Sequence, residues 1–128
     1  MAKDPKWVTY DQVVAIHNRQ LRRFGGAPGL RDEGMLRSAI ERPVNKWQYE
    51  RADLAALAAA YTFGLAKKAF VDGNKRTAFT IMMLFLRRNG VPFAPDRAHA
   101  AAMMLSLAAG EVSEQSLARW IRDNWPKS

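Results

Sequence analysis

The sequence predicts an all-α fold of about six helices built round a central buried pair. Three observations predict it. Apolar residues recur at helical spacing in successive segments, most of which open on Ser, Thr or Asp and close near Gly or Pro. Two consecutive segments, 54–67 and 74–89, read as buried helices, the first apolar almost all round. Hydrophobic residues make up 48% of 128 residues and cysteine is absent, so the fold must rest on a packed core and not on disulfides.

Taken in order, Thr9 is a good N-cap for a first helix running to about Arg23. Val13, Ile16 and Phe24, with Val14 and Leu21 beside them, form its apolar stripe, interrupted by Gln20. Gly25-Gly26 ends it and Pro28-Gly29 continues the loop. Asp32 caps a short second helix with Met35, Leu36, Ala39 and Ile40 inward, and Pro43 is expected to stop it. Over 44–49, Trp47 and Tyr49 alternate with polar residues, so a short strand or hairpin edge is expected there. Asp53 caps a third helix to about Lys67. A fourth runs from Asn74 to Asn89 with Ala78, Ile81, Met82 and Phe85 on one face, and Asn89-Gly90 stops it. Asp96 caps a fifth, ending near Gly110, and Ser113 caps a sixth that carries Leu117, Trp120 and Ile121.

The length fits one domain over residues 1–128, with 1–6 a flexible polar start. No secretory signal is visible, and the longest uncharged run before residue 70, Leu54 to Ala66, is too short for a bilayer. A reducing, cytoplasmic setting without a membrane partner is therefore expected. The formal charge of +8 suggests anionic partners, against the plainer reading of a solvated cationic surface. The cations fall in separate pairs (Arg22-Arg23, Lys67-Lys68, Lys75-Arg76, Arg87-Arg88), and no aromatic-interleaved RNA-binding signature is present. Nucleic acid is not the expected partner.

The chemistry concentrates in Phe70-Val71-Asp72-Gly73-Asn74-Lys75-Arg76. If the flanking segments are helices, the backbone N–H groups of Gly73, Asn74 and Lys75 lie at an open helix N-terminus, where unpaired amides and the helix dipole favour phosphate. Lys75 and Arg76 add positive charge, and Asp72 can hold a divalent cation or orient a hydroxyl. Composition alone equally allows a plain helix–helix turn, and the Walker-type Gly-x4-Gly-Lys spacing is absent. His17 and His99 are the only histidines; His17, on the edge of the first apolar stripe, reads as structural, and the two together make no metal site by spacing. Gly25 to Gly29 reads as a helix stop with a tight turn in preference to a phosphate loop, because it follows a helix and not a strand.

The run from Phe70 to Ala78 resembles the active-site motif of the Fic superfamily, and most of all its Doc branch, in which it reads His-x-Phe-x-Asp-(Ala/Gly)-Asn-Lys-Arg-Thr-Ala. Ile16-His17, Phe24-Gly25-Gly26 with Pro28-Gly29, Asp32 leading into Leu36 and Ala39, Leu84 to Gly90, and Ala109-Gly110-Glu111 are similar to further parts of the family pattern, so the likeness spans nearly the whole chain. It implies a helical fold acting on nucleotides. AMP-transferring relatives carry Gly where Lys75 stands and a second arginine where Phe79 stands, which favours the Doc branch. Doc toxins phosphorylate a threonine of elongation factor Tu with ATP and are silenced by a Phd-like antitoxin whose disordered tail folds on binding. By resemblance Gly73, Asn74, Lys75 and Arg76 grip the phosphates, Asp72 positions Mg or the target hydroxyl, and Phe70 anchors the loop.

The motif histidine is missing. Counting back from Phe70 its place falls at Lys68, and one residue fewer than usual separates Tyr61 from Phe70, so deletion and replacement by lysine both remain open. Lysine in water titrates near about 10.4 and is a poor base at pH 7; general-base help is worth about 10²–10⁴-fold in rate. The expectation is a chain that binds nucleotide and transfers phosphate slowly or not at all. The alternatives are an AMP transferase and a non-catalytic module that binds nucleotide or antitoxin.

Overall fold

The computed structural model of the protein describes residues 3–127. Six helices follow one another: α1 (Tyr10–Phe24), α2 (Glu33–Glu50), α3 (Leu54–Leu65), α4 (Asn74–Arg88), α5 (Arg97–Ala108) and α6 (Glu114–Asp123). Helix α3 lies at the centre and packs against α2, α4 and α6, while α1 and α5 flank α4. Nine of its twelve residues are buried, including Leu57, Tyr61 and Leu65, so the segment that lacks a polar face in sequence has no solvent face in space. Ile81, Met82, Phe85 and Leu86 of α4 and Leu117 and Ile121 of α6 close the same core. The central pair expected from the sequence is therefore α3 and α4.

Cap chemistry sets most helix starts. Thr9 forms a capping box with Gln12, and Asp32, Asp53, Asp96 and Ser113 each accept from the backbone N–H three residues on. Helix α4 differs: its N-cap is Gly73 in the left-handed region, with no side chain across its first turn.

The expected hairpin at 44–49 does not form, and Pro43 does not end α2. One helix runs through both to Glu50. Pro43 does forfeit a helical hydrogen bond. Yet Leu36, Ala39 and Pro43 are buried on one stripe that continues to partly buried Ile40 and Trp47. Read across the proline, the helical period is present; read from residue 44, it is truncated and mimics alternation. The stripe meets α3 at close range, where a Cβ added to Gly64 would lie 2.8 Å from the Ala39 Cβ. Arg51, at φ 50°, ends α2, its guanidinium 4.9 Å from the Trp47 ring centre.

Of the expected flexible start, residues 1 and 2 lie outside the described residues. From Asp4 the chain is tied down: the Trp47 Nε1–H donates to Asp4 Oδ1 at 3.1 Å, and Lys6 exchanges two hydrogen bonds with the Asn89 side chain. Trp7 stacks on Phe85 at 5.9 Å. Tyr61 reaches through the core to Val8, and burial pushes its phenol up to about 12. Among the described residues, no helix is long and apolar enough to cross a membrane.

Candidate active site

The segment from Ala66 to Gly73 joins the two central helices and is held from behind. Ala69 O accepts from the backbone N–H groups of Arg31 and Asp32, at 2.8 and 2.9 Å. Val71 N–H donates to Gly29 O at 3.0 Å, and Phe70 pairs with Leu30 in an isolated antiparallel bridge. The Gly25–Gly29 loop thus serves as the back support of the motif. Phe70 is 2% exposed, and its ring lies parallel to His17 with centroids 3.6 Å apart. Phe70 is thus buried beneath the loop, against α1.

Asn74 closes the loop. Its Oδ1 accepts from Phe70 N–H and its Nδ2 donates to Phe70 O, both at 3.0 Å. The Asn74 side chain is therefore committed to the loop backbone, and what Asn74 offers an anion is its main-chain N–H. Gly73, at φ 78° and ψ 16°, turns the chain into α4 and leaves the first amides of that helix without a side-chain partner.

In front of this turn lies a cleft of about 490 Å³ lined by, among others, Lys67, Lys68, Asp72, Gly73, Lys75 and Arg76. Cation pairs that are separate in sequence converge here on a helix N-terminus, a concentration of positive charge that composition could not locate. Lys68 is exposed on the cleft wall, beside a turn in which Ala69 N–H donates to Lys67 O at 2.9 Å. Arg76 rests on the exposed ring of Phe24, 4.4 Å from its centre. Among the described residues, Asp72 is the one acid lining the cleft. Its Oδ2 accepts from Ala27 N–H at 3.2 Å and its Oδ1 from Gly73 N–H at 2.8 Å. Those two amides, Ala27 first, hold the carboxyl below its usual range, with Arg76 adding to the effect, so it is ionised at neutral pH.

All the sequence-predicted site residues but Phe70 meet at this cleft, and Phe70 sits directly behind it. His99 stands apart on α5 beside Asp96. Two contributors were not foreseen as such. His17 was read as structural, but that its Nε2 would lie 2.7 Å from Asp72 O was not legible. Ala27, whose backbone fixes the acid, carries no side-chain signal at all.

A helix bundle with an anion-directed turn between its two central helices defines the class. Residues 7–86 match the Fic/DOC family, and the chain belongs to that family. It is 36% identical over 117 residues to a protein named protein kinase doc from Escherichia phage P1, covering 90% of this chain and 92% of the relative. It is 44% identical over 78 residues to a protein named toxin Doc from Mycolicibacterium smegmatis strain mc(2)155, covering 57% of this chain and 58% of that one. Within the family the chain is a Doc-type toxin.

Proposed function

We propose that the cleft takes ATP by its phosphates and that this chain, as it stands, is impaired in transferring one of them. The observation that carries the reading is the bare start of α4, which opens into a cleft holding four cations and one ionised acid. The amides of Asn74 and Lys75 and the side chains of Lys75 and Arg76 are the phosphate ligands, with the Gly73 N–H held by the Asp72 carboxylate and Lys67 and Lys68 adding positive field along the cleft lining. Asp72 fits a Mg ion in charge and exposure. Among the described residues no group of three or more His, Asp or Glu gathers, so Asp72 would hold such an ion together with phosphate and water. Mg would neutralise charge on the transferred group; this chain's own contribution is to hold the polyphosphate in place.

Transfer requires the acceptor hydroxyl to lose its proton as its oxygen bonds to phosphorus and the bond to ADP breaks. Nothing facing the cleft takes that proton well. Asp72, with its carboxyl held low, is a weak base, and among the described residues no histidine lines the cleft. The motif's resemblance to the Doc branch implies a threonine of elongation factor Tu as acceptor, in the cytoplasm.

A partner antitoxin of the Phd type accounts for a second feature. Between α4 and α5 runs an apolar groove of about 630 Å³, lined by Phe79, Ala100, Met104 and Leu105 and rimmed by Lys75, Arg76 and Arg97. It suits an amphipathic segment with acidic flanks, supplied by a disordered tail that folds on contact. Placed there, the tail reaches Lys75 and Arg76, which belong to both surfaces.

The test is a histidine inserted between Lys68 and Ala69, beside a replacement Lys68→His. Lys67 and Lys68 are exposed while Ala69 is buried, so the inserted residue is placed on the exposed side of the turn. With γ-labelled ATP and a cell lysate, the inserted variant is expected to label one dominant band and arrest growth, while the parent does neither. Label from the α position instead would assign AMP transfer. If neither variant labels protein or slows growth, the kinase reading is wrong and a binding module remains.

A further inference from the structure

We propose that His17 is a positioning residue for the phosphate cleft: it fixes which way the Asp72–Gly73 peptide faces. The side chain is 1% exposed on α1, and Nε2 lies 2.7 Å from the carbonyl oxygen of Asp72. A carbonyl oxygen only accepts, so the ring must donate through Nε2–H. Nδ1 is buried with no hydrogen-bond partner, so a hydrogen placed there would be left unsatisfied. Geometry therefore selects the Nε2–H form.

The consequence lies on the other side of the peptide. In a trans peptide the C=O and N–H point in opposite directions. With the carbonyl drawn down onto His17, the Gly73 N–H points toward the cleft side, where the Asp72 carboxylate accepts it at 2.8 Å. Were the peptide to flip, a carbonyl oxygen would face the incoming phosphate. Gly73 offers little steric resistance to such a flip. The stack on Phe70 holds the imidazole in plane, and a Cβ on Gly73 would come within 3.5 Å of Nε2. A residue that merely filled the core would need the ring but not a donor aimed at this oxygen.

The proposal rests on the reading of the cleft as a phosphate site, and the test separates the two. Full-length His17→Phe keeps the stacking ring and removes the donor; His17→Gln keeps a donor and loses the ring. Titrated with a fluorescent ATP analogue, His17→Phe is expected to bind at least about tenfold more weakly, and His17→Gln within about threefold of the parent. Without nucleotide, ¹⁵N spectra of the parent should show hydrogen on Nε2, and the Gly73 and Asn74 amides of His17→Phe should exchange at least about tenfold faster. If the parent binds no nucleotide but these apo signatures appear, the cleft reading fails and the role of His17 stands. Hydrogen on Nδ1 in the parent overturns the proposal even if a variant does not fold. Unchanged affinity and amide exchange in a folded His17→Phe overturn it as well.

Discussion

Asn74 gives the sharpest separation between two accounts of the motif turn. One holds that its amide is a generic helix-start residue; the other, that it clamps the Phe70 backbone. The clamp consists of two hydrogen bonds of 3.0 Å to the N–H and C=O of a residue that is 2% exposed. Asn74→Ala leaves both groups without that partner, at a cost of about 2–3 kcal/mol. For 128 residues the unfolding entropy is roughly 0.27 kcal/mol/K, so Tm should fall by about 7–11 °C. Asn74→Asp is the discriminating variant. A carboxylate in the first turn of a helix ordinarily stabilises by about 0.3–1 kcal/mol. In the clamp it keeps the acceptor for Phe70 N–H but sets an oxygen against Phe70 O, so a net loss of about 1–2 kcal/mol is expected. Thermal and urea unfolding of the three proteins at pH 7 measure this. An Asn74→Asp chain that melts at or above the parent temperature refutes the clamp.

The remaining predictions concern charge, packing and pH. Replacing Lys75 and Arg76 together by Ala should weaken binding of a fluorescent ATP analogue by at least about tenfold, since two charge-assisted contacts are lost, with Tm nearly unchanged because both side chains are exposed. Gly64→Ala should lower stability by about 1–2 kcal/mol despite the better helix propensity of alanine, because the new methyl meets Ala39 Cβ at 2.8 Å and its Cα at 3.0 Å; unchanged urea unfolding would contradict that close crossing. Asp53 is held below the usual carboxylate range, chiefly by its bidentate hydrogen bonds from Arg122, and Asp72 chiefly by Ala27 N–H. The unfolded chain therefore binds more protons in acid, so stability is complete above about pH 5 and falls as pH drops through the carboxylate range and below it. Asp53→Asn should flatten part of this acid limb, by less than about 1 kcal/mol because the pair is exposed. An acid limb identical to the parent's would remove Asp53 from the account.

What the sequence determined by itself was mostly local. Thr9, Asp32, Asp53, Asp96 and Ser113 announce helix starts because a side-chain oxygen three residues before a free amide acts within one turn. Segment 54–65 announces its own burial because it has no polar face to present. The motif was legible because its residue types lie side by side in the chain. Helix α2 was not, because its continuation through Pro43 depends on the surface of α3 that buries Leu36, Ala39 and Pro43 together. Local rules see the lost hydrogen bond and not the burial that outweighs it. The same limit hid the frame of the site: Ala27 and His17 reach Asp72 across 45 and 55 residues. Only the tertiary structure decides that the Asn74 side chain faces backward, that two distant lysine and arginine pairs share one cleft, and that a histidine beneath the turn aims its nitrogen at the one carbonyl whose orientation matters. Spacing along a chain encodes contacts within a helical turn; contacts between helices are set by which faces must leave water together.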